Sequence, residues 1–168
     1  MNTEDNIKKK RVVTRVGDIF CVELKEYKFY LQFIAVDASY LNSTTVRVFK
    51  KKYPLSYIFN PDEVINDEVY FYAHTFLQPG LKGGVWIKAG KNKDIGDLKH
   101  ILFRDTSSWT PQCPKSYKWR IGGINGEYTM IGELTEEYKN KTDDAVVVPP
   151  IDIVEKFKTG KYRGPQPY

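Results

Sequence analysis

The sequence contains few of the residues that most often carry chemistry at metal and nucleophilic sites. Among its 168 residues are only two cysteines and two histidines, which lie far apart: Cys21, His74, His100 and Cys113. Two cysteines cannot build a disulfide framework, and the short ligand spacings of zinc sites are missing. We therefore predict no metal site and no cofactor, and we expect Cys21, in an apolar run, to act as a small buried hydrophobe.

Long hydrophobic runs are also missing. None approaches the roughly 18 apolar residues that read as a membrane-spanning helix. The N-terminal stretch MNTEDNIKKKRVV carries charges but no apolar segment of the kind found in secretory signals. These absences favour a cytoplasmic protein in a reducing compartment, with no membrane partner.

The sequence offers candidate catalytic residues, but they do not form a complete catalytic set. Cys113 with one of the two histidines would make a nucleophile and base, but no third orienting group stands out. Three carboxylates are candidates for acid–base work: Asp18, Asp97 and Asp105. Asp18 and Asp97 each follow a glycine at a predicted turn, where capping the backbone is the usual role of aspartate. We expect no catalytic residues, and an enzyme is the third hypothesis.

The net charge of +5 comes from two short runs. Residues 1–60 carry 11 Lys and Arg against 6 acidic residues, whereas the rest of the chain is close to neutral. The runs are Lys8-Lys9-Lys10-Arg11 and Lys50-Lys51-Lys52, and without them the chain would carry −2. The basic character is therefore local, and it fits either a solvated tail and loop or a nucleic-acid contact.

Aromatic residues are abundant, with 12 Tyr and 9 Phe, and they predict a mainly β, α+β domain. The strongest signal is a hairpin formed by residues 18–24 and 29–36, in which Phe20 and Val22 share a face opposite Ile19 and Cys21. The second run is apolar on both faces, so we predict a central strand covered on both sides. The expected architecture is a bent antiparallel sheet, or a partly open barrel, with a C-terminal helix.

Further elements follow from local patterns. Asn125-Gly126 predicts a second hairpin with a type I′ turn, and Asn60-Pro61 predicts one helical turn. We expect residues 135–144 to form a loop or a frayed turn. The C-terminal helix starts at Asp152 as cap and stops at Gly160. Other strands are expected at residues 12–16, 45–50, 68–74, 85–88 and 100–104, with chain breakers at 78–80 and 82–84. We predict a flexible arm at 1–11, one domain at 12–168 and a candidate internal linker at 105–116.

Basic runs with interleaved aromatic residues make nucleic-acid binding the second hypothesis. Such runs can contact phosphates and stack on bases. The same pattern arises when strands alternate buried aromatic residues with exposed lysines, so both interpretations stay open. The residues that would make these contacts are Lys50, Lys51, Lys52, Lys118 and Arg120.

Four segments resemble the immunity protein 26 family of bacterial polymorphic toxin systems. The first two are Arg15-Val16-Gly17-Asp18-Ile19-Phe20-Cys21-Val22 and Tyr30-Leu31-Gln32-Phe33-Ile34. The others are Trp119-Arg120-Ile121-Gly122 and the helix that follows Pro149-Pro150. The resemblance covers about the first 50 residues in sequence, and the remainder only in the order of elements.

This resemblance implies a cytoplasmic, non-enzymatic protein that neutralises a cognate toxin by binding it. It carries over no catalytic residues. One departure is charge, because proteins that block nucleases usually present acidic surfaces and this chain is basic. An acidic patch could still meet such a toxin, and we predict these contacts: Asp62, Glu63, Asp67, Glu68, Trp86 and Trp119. The sequence does not define the oligomeric state.

Overall fold

The computed structural model describes residues 12–168, whose strands form two mixed sheets, neither of them closed. Sheet A has the order β10-β4-β3-β2-β1-β5. Its strands are β1 (Asp18–Glu23), β2 (Lys28–Asp37), β3 (Ser43–Phe49), β4 (Val69–Thr75), β5 (Ile87–Lys91) and β10 (Val147–Val148). All its pairs are antiparallel except β10 with β4. The predicted arm at 1–11 lies outside the described residues.

Sheet B is smaller and has the order β8-β7-β6-β9. Its strands are β6 (Leu102–Asp105), β7 (Trp119–Gly123), β8 (Thr129–Gly132) and β9 (Thr142–Asp144). The β6–β9 pair is parallel. Only two residues separate β9 from β10, so this segment passes directly from the edge of sheet B to the edge of sheet A.

The predicted N-terminal hairpin is confirmed as β1 and β2, which pair in antiparallel register from Ile19 with Gln32 to Glu23 with Lys28. Phe20 and Val22 belong to one core cluster, and Ile19 and Cys21 belong to another. β2 lies between β1 and β3 and is buried on both faces, so the prediction of a central strand from apolar residues on both faces of this run is confirmed.

Within residues 12–168, four helices accompany the sheets: α1 (Pro61–Val64), α2 (Leu77–Lys82), α3 (Glu136–Lys141) and α4 (Pro150–Thr159). A 3-10 turn covers Leu98–His100. The C-terminal helix α4 packs on one face of sheet A, where Phe157 stacks on Phe29 with ring centroids 3.7 Å apart. Gly160 ends α4 in the left-handed region at φ 82°, as its position predicted.

Several local predictions were wrong. Residues 12–16 form no strand, and residues 135–144 form α3 and β9 instead of a loop. The breakers at 78–80 lie inside α2. Asp152 lies in the first turn of α4, whose cap is Pro149.

The second hairpin is present as β7 and β8, but its turn differs from the type I′ prediction. Asn125 has φ 56°, whereas Gly126 is not in the positive-φ region, and the Gly126 amide donates to the Gly123 carbonyl over 3.0 Å. The predicted linker at 105–116 falls in the connection from β6 to β7, two strands that pair directly.

The mainly β, α+β class is therefore confirmed, with the strands divided between two sheets. Among residues 12–168, no helix is long and apolar enough to cross a membrane.

Candidate protein-binding surface

The predicted acidic residues and the second lysine run lie on one surface beside sheet A. The chain leaves β3, forms a loop, passes through α1 and enters β4, and we call residues 50–68 the α1 surface. Asn60 caps α1 by accepting a hydrogen bond from the Asp62 amide over 3.0 Å, as the sequence predicted. The surface thus combines basic, apolar and acidic residues within one short segment.

A single lysine from β2 holds the loop in place. The Lys28 ammonium donates to the carbonyls of Leu55 (2.9 Å) and Tyr57 (2.8 Å). The backbones of Lys28 and Tyr53 also exchange two hydrogen bonds, and the Tyr57 amide donates to the Pro54 carbonyl. Below the loop, Tyr53 and Tyr57 pack against Tyr30. The loop is therefore fixed both by its backbone and by an aromatic cluster.

Two large apolar side chains project from this fixed loop. Ile58 is 87% exposed and Leu55 is 44% exposed. Both were missed from the sequence, because they lie in a proline-containing, aromatic-rich segment that fits neither a strand nor a helix period. That misfit was the available signal, since an apolar residue outside any periodic pattern has no predicted place in the core.

Ion pairs join part of the lysine run to acids of the same surface. Lys50 contacts Glu68 at 2.9 Å, and Lys51 contacts Glu63 at 3.0 Å and Asp67 at 3.9 Å. Two of the three lysines therefore pair with three of the four predicted acidic residues.

Two more hydrogen bonds engage the acids of this surface. Asp67 also accepts a hydrogen bond from the Tyr53 hydroxyl. The side-chain amide of Asn92 donates to the Asp62 carboxylate over 2.7 Å. The hydrogen bond from Lys51 lowers the pKa of Glu63 and raises the pKa of Lys51 itself.

The two tryptophans predicted as partner contacts are buried. Trp86 is 1% exposed and packs in the core of sheet A, where its indole nitrogen donates to the Leu77 carbonyl over 3.2 Å. Trp119 is 2% exposed. Neither can contact a partner in this conformation, and the error arose because a strand pattern does not distinguish a buried aromatic residue from an exposed one.

The other predicted nucleic-acid residues are scattered. Arg120 is engaged with Asp105 through two hydrogen bonds of 3.0 Å and 2.7 Å, and it donates to the Tyr40 hydroxyl over 2.8 Å. The Lys52 ammonium lies 4.7 Å from the centre of the Tyr27 ring. Lys118 is exposed and directly precedes β7, a strand of sheet B. Lys52 lies with Lys50 and Lys51 on the α1 surface, but Lys118 and Arg120 lie beside and in β7 of sheet B, so the structure does not join the five residues into one basic surface.

The catalytic candidates are engaged separately. His74 is fully buried, and its Nε2 lies 3.2 Å from the Asp37 carboxylate. His100 pairs with Asp97 at 3.2 Å. Cys113 is exposed in the loop before β7, where its amide donates to the Thr110 hydroxyl.

The three candidate carboxylates also have structural partners. Asp18 pairs with Lys88 at 2.7 Å and accepts from the Arg15 amide, and Asp105 pairs with Arg120. Asp97 caps the 3-10 turn by accepting from the Lys99 amide. Within residues 12–168 there is also no group of three His, Cys, Asp or Glu residues placed to hold a metal ion.

A cavity of about 560 Å³ between the sheets contains a charged pair that sequence analysis missed. The Lys156 ammonium lies 3.1 Å from the Asp143 carboxylate, which also accepts from the Tyr72 amide. Burial raises the pKa of Asp143, and Lys156 opposes the shift. Because the pair joins α4 to β9 and β4, it can tie the two sheets together. It was missed since residues 135–144 were predicted to be a loop.

Comparisons of the chain with protein-family models, with curated proteins and with solved structures found no match.

Proposed function

We propose that this protein is a non-enzymatic immunity protein that binds a cognate bacterial toxin through the α1 surface. The observation that carries the choice of surface is Ile58, a large apolar side chain that is 87% exposed on a loop held by Lys28. The resemblance to the immunity protein 26 family supplies the class of partner. In this proposal the protein acts in the cytoplasm, where it meets the toxin.

The loop holds two exposed apolar side chains in a fixed conformation. Exposed apolar residues are common when they are scattered singly. Here Leu55 and Ile58 lie three residues apart on a loop that four described hydrogen bonds tie to β2. Such a preorganised apolar site loses little conformational entropy when a partner covers it, which favours binding.

The charges around the apolar residues supply specificity. Lys50 and Lys51 already pair with acids of the same surface, so the surface offers both signs and no strong net charge. A toxin with an alternating pattern of charges would exchange these pairs for pairs across the interface, which affects partner choice more than raw affinity. This arrangement accounts for an immunity protein that is basic overall.

The proposal is tested by retrieving the partner with variants of the loop. The tagged full chain is incubated with lysate of its source, treated with nuclease, and bound proteins are identified by mass spectrometry. We expect one stoichiometric protein with a toxin domain. The double variant L55D/I58D should weaken its binding by about thirtyfold or more, since loss of a hot spot costs about 2 kcal/mol or more.

The matched control is M130D/I151D, which adds the same two negative charges at two other exposed apolar residues, on β8 and α4. It should retain the partner and should protect cells that co-express the toxin, whereas L55D/I58D should not. Equal protection by both variants would contradict the assignment of the surface. Failure of the wild-type chain to protect from the retrieved protein would contradict the function.

A further inference from the structure

A depression of about 390 Å³ lies where the segment before β1 passes the end of β5. It is lined by more basic side chains than any part of the α1 surface. Four cations line it, namely Arg15, Lys88, Lys91 and Lys93, against the single carboxylate of Asp18. We call these residues the β5 groove. The Lys88 ammonium also donates to the Val13 carbonyl over 3.3 Å, which holds the preceding segment against β5.

Most of the positive charge in the β5 groove is uncompensated. Asp18 is buried and is committed to Lys88 at 2.7 Å. Within residues 12–168, the side chains of Arg15, Lys91 and Lys93 have no carboxylate within 4.0 Å. Three cations therefore face solvent together, in contrast to Lys50, Lys51 and Arg120, which are all paired.

Two carboxylates lie at the border of the groove, and each accepts a hydrogen bond from an uncharged amide. That of Asp62 accepts from the side-chain amide of Asn92, and that of Asp94 accepts from the backbone amide of Gly96 over 2.9 Å. The sequence adds charge of the same sign, because Lys8-Lys9-Lys10-Arg11 directly precedes Val12. The groove-lining residue Val13 is therefore only two residues from this basic run in the sequence.

We propose that the β5 groove binds the phosphate backbone of single-stranded nucleic acid. Unpaired Lys and Arg side chains that line a depression neutralise successive phosphates and release their counterions. In proteins that bind single strands without sequence preference, a positively charged groove follows the backbone. The lining of the β5 groove contains no aromatic side chain, so bases are not stacked and binding does not depend on base sequence. This site adjoins the α1 surface, through the hydrogen bond between Asn92 and Asp62, but shares no residue with it and does not rest on the proposed toxin binding.

The test compares two variants with the same change in charge. In R15Q/K91Q/K93Q the three unpaired cations of the groove are neutralised, and Lys88 is kept because it pairs with the buried Asp18. In K50Q/K51Q/K52Q the predicted lysine run is neutralised instead. Binding of the full chain to a fluorescein-labelled oligothymidylate is measured by fluorescence anisotropy over a series of KCl concentrations.

We expect wild-type affinity to fall steeply with salt. For single strands the slope of log K against log salt is about −0.7 for each neutralised phosphate, so the groove variant should have a slope smaller in magnitude by about 2. The K50Q/K51Q/K52Q control should keep nearly the wild-type slope. An oligoadenylate of equal length should bind like the oligothymidylate.

Three results would overturn the proposal. One is the absence of salt-dependent binding by the wild-type chain. Another is an equal loss in both variants, which would assign binding to net charge alone. The third is displacement of the oligonucleotide by poly-glutamate at the same concentration of charge, which would assign the groove to an acidic protein. L55D/I58D should still bind the oligonucleotide, so failure here and failure of toxin binding are distinguishable.

Discussion

His74 is a titratable side chain enclosed in the core. Its Nε2 contacts the Asp37 carboxylate at 3.2 Å, and the Phe103 ring lies 4.2 Å from its own ring. Burial lowers the pKa of His74 and outweighs the opposing effect of Asp37. The neutral ring with Nε2 protonated therefore fits the site, because it donates to Asp37 without placing a positive charge in the core.

This arrangement predicts that stability falls at mildly acidic pH. Below the ordinary histidine pKa of about 6.5, the unfolded chain takes up a proton that folded His74 does not, so the free energy of unfolding decreases as pH falls from about 7 to 5. H74Q keeps a donor to Asp37 but cannot titrate, and it should lose this part of the pH dependence. Urea unfolding of both proteins at several pH values gives the comparison.

The difference between the two curves isolates His74 from the other groups. Asp143, whose pKa is raised by burial, contributes in the opposite direction and is common to both proteins. Parallel curves for wild type and H74Q would show that His74 is protonated in the folded state or exposed to solvent.

At the scale of elements, the edge strand β5 depends on a close approach of its backbone to the loop of the α1 surface. A Cβ atom at Gly90 would lie 2.7 Å from a ring carbon of Phe59. Phe59 packs against Tyr30 and borders the second core cluster. The strand can therefore pair with β1 and support the loop only because this position has no side chain.

We predict that G90A destabilises the protein by about 1–3 kcal/mol, the usual cost of overpacking. The ring of Phe59 must shift, so the loop that carries Ile58 should become less ordered as well. G123A in β7 is the control, since a Cβ there would meet its nearest atom, the Ile101 carbonyl oxygen, at an ordinary 3.5 Å. Thermal unfolding of both variants measures the difference, and equal melting temperatures would contradict the contact.

Element prediction from the sequence succeeded where the pattern was local. β1 and β2 follow from apolar, aromatic-rich runs, β3 follows from alternating apolar residues, and α1 follows from Asn60-Pro61. It failed for α2, because Pro79 and Gly80 disfavour a helix. Gly80 is instead required by the Trp86 ring, since a Cβ at Gly80 would lie 2.1 Å from it. A tertiary contact of this kind overrides propensity and is invisible in the local sequence.

At the scale of the whole molecule, Asn125 connects the two sheets. Its side-chain oxygen accepts from the Ala38 amide over 2.7 Å and the Ser39 amide over 3.2 Å, and its side-chain nitrogen donates to the Val36 carbonyl over 2.8 Å. The turn between β7 and β8 is thereby tied to the turn that follows β2. The Asp37 carboxylate also accepts from the Asn125 amide, which links this junction to His74.

N125G should lower the free energy of unfolding by about 1–3 kcal/mol, since several hydrogen bonds are lost together. Glycine accepts the positive φ of this position, so the loss reports the side chain and not backbone strain. Hydrogen exchange should accelerate in β7 and β8 more than in β2 and β3.

The matched control is N42G. Asn42 has φ 46° but makes no side-chain hydrogen bond among the described residues, so its replacement should be nearly neutral. Equal effects of the two substitutions would mean that Asn125 acts only through its backbone conformation.

The division into two sheets could not be predicted from the sequence, because it depends on distant pairs. Val147 pairs with His74, and Leu102 pairs with Thr142. Short parallel strands such as β9 and β10 have too few residues to produce a periodic signal. The candidate surfaces could be predicted only in part. The sequence shows the runs of charged residues, but it does not show which residues pair with them in the fold.

The stacking of Phe157 on Phe29 has a consequence for synthesis. During translation the apolar face formed by Phe20, Phe29 and Leu31 emerges first, and the helix that covers it is made last. The nascent chain therefore exposes apolar sheet surface until residues near 159 have left the ribosome. Partly folded chains that expose apolar surface are prone to aggregation. Closure over such sequence separations is also intrinsically slow. The β1–β2 hairpin therefore stays uncovered in the growing chain until α4 has been synthesised.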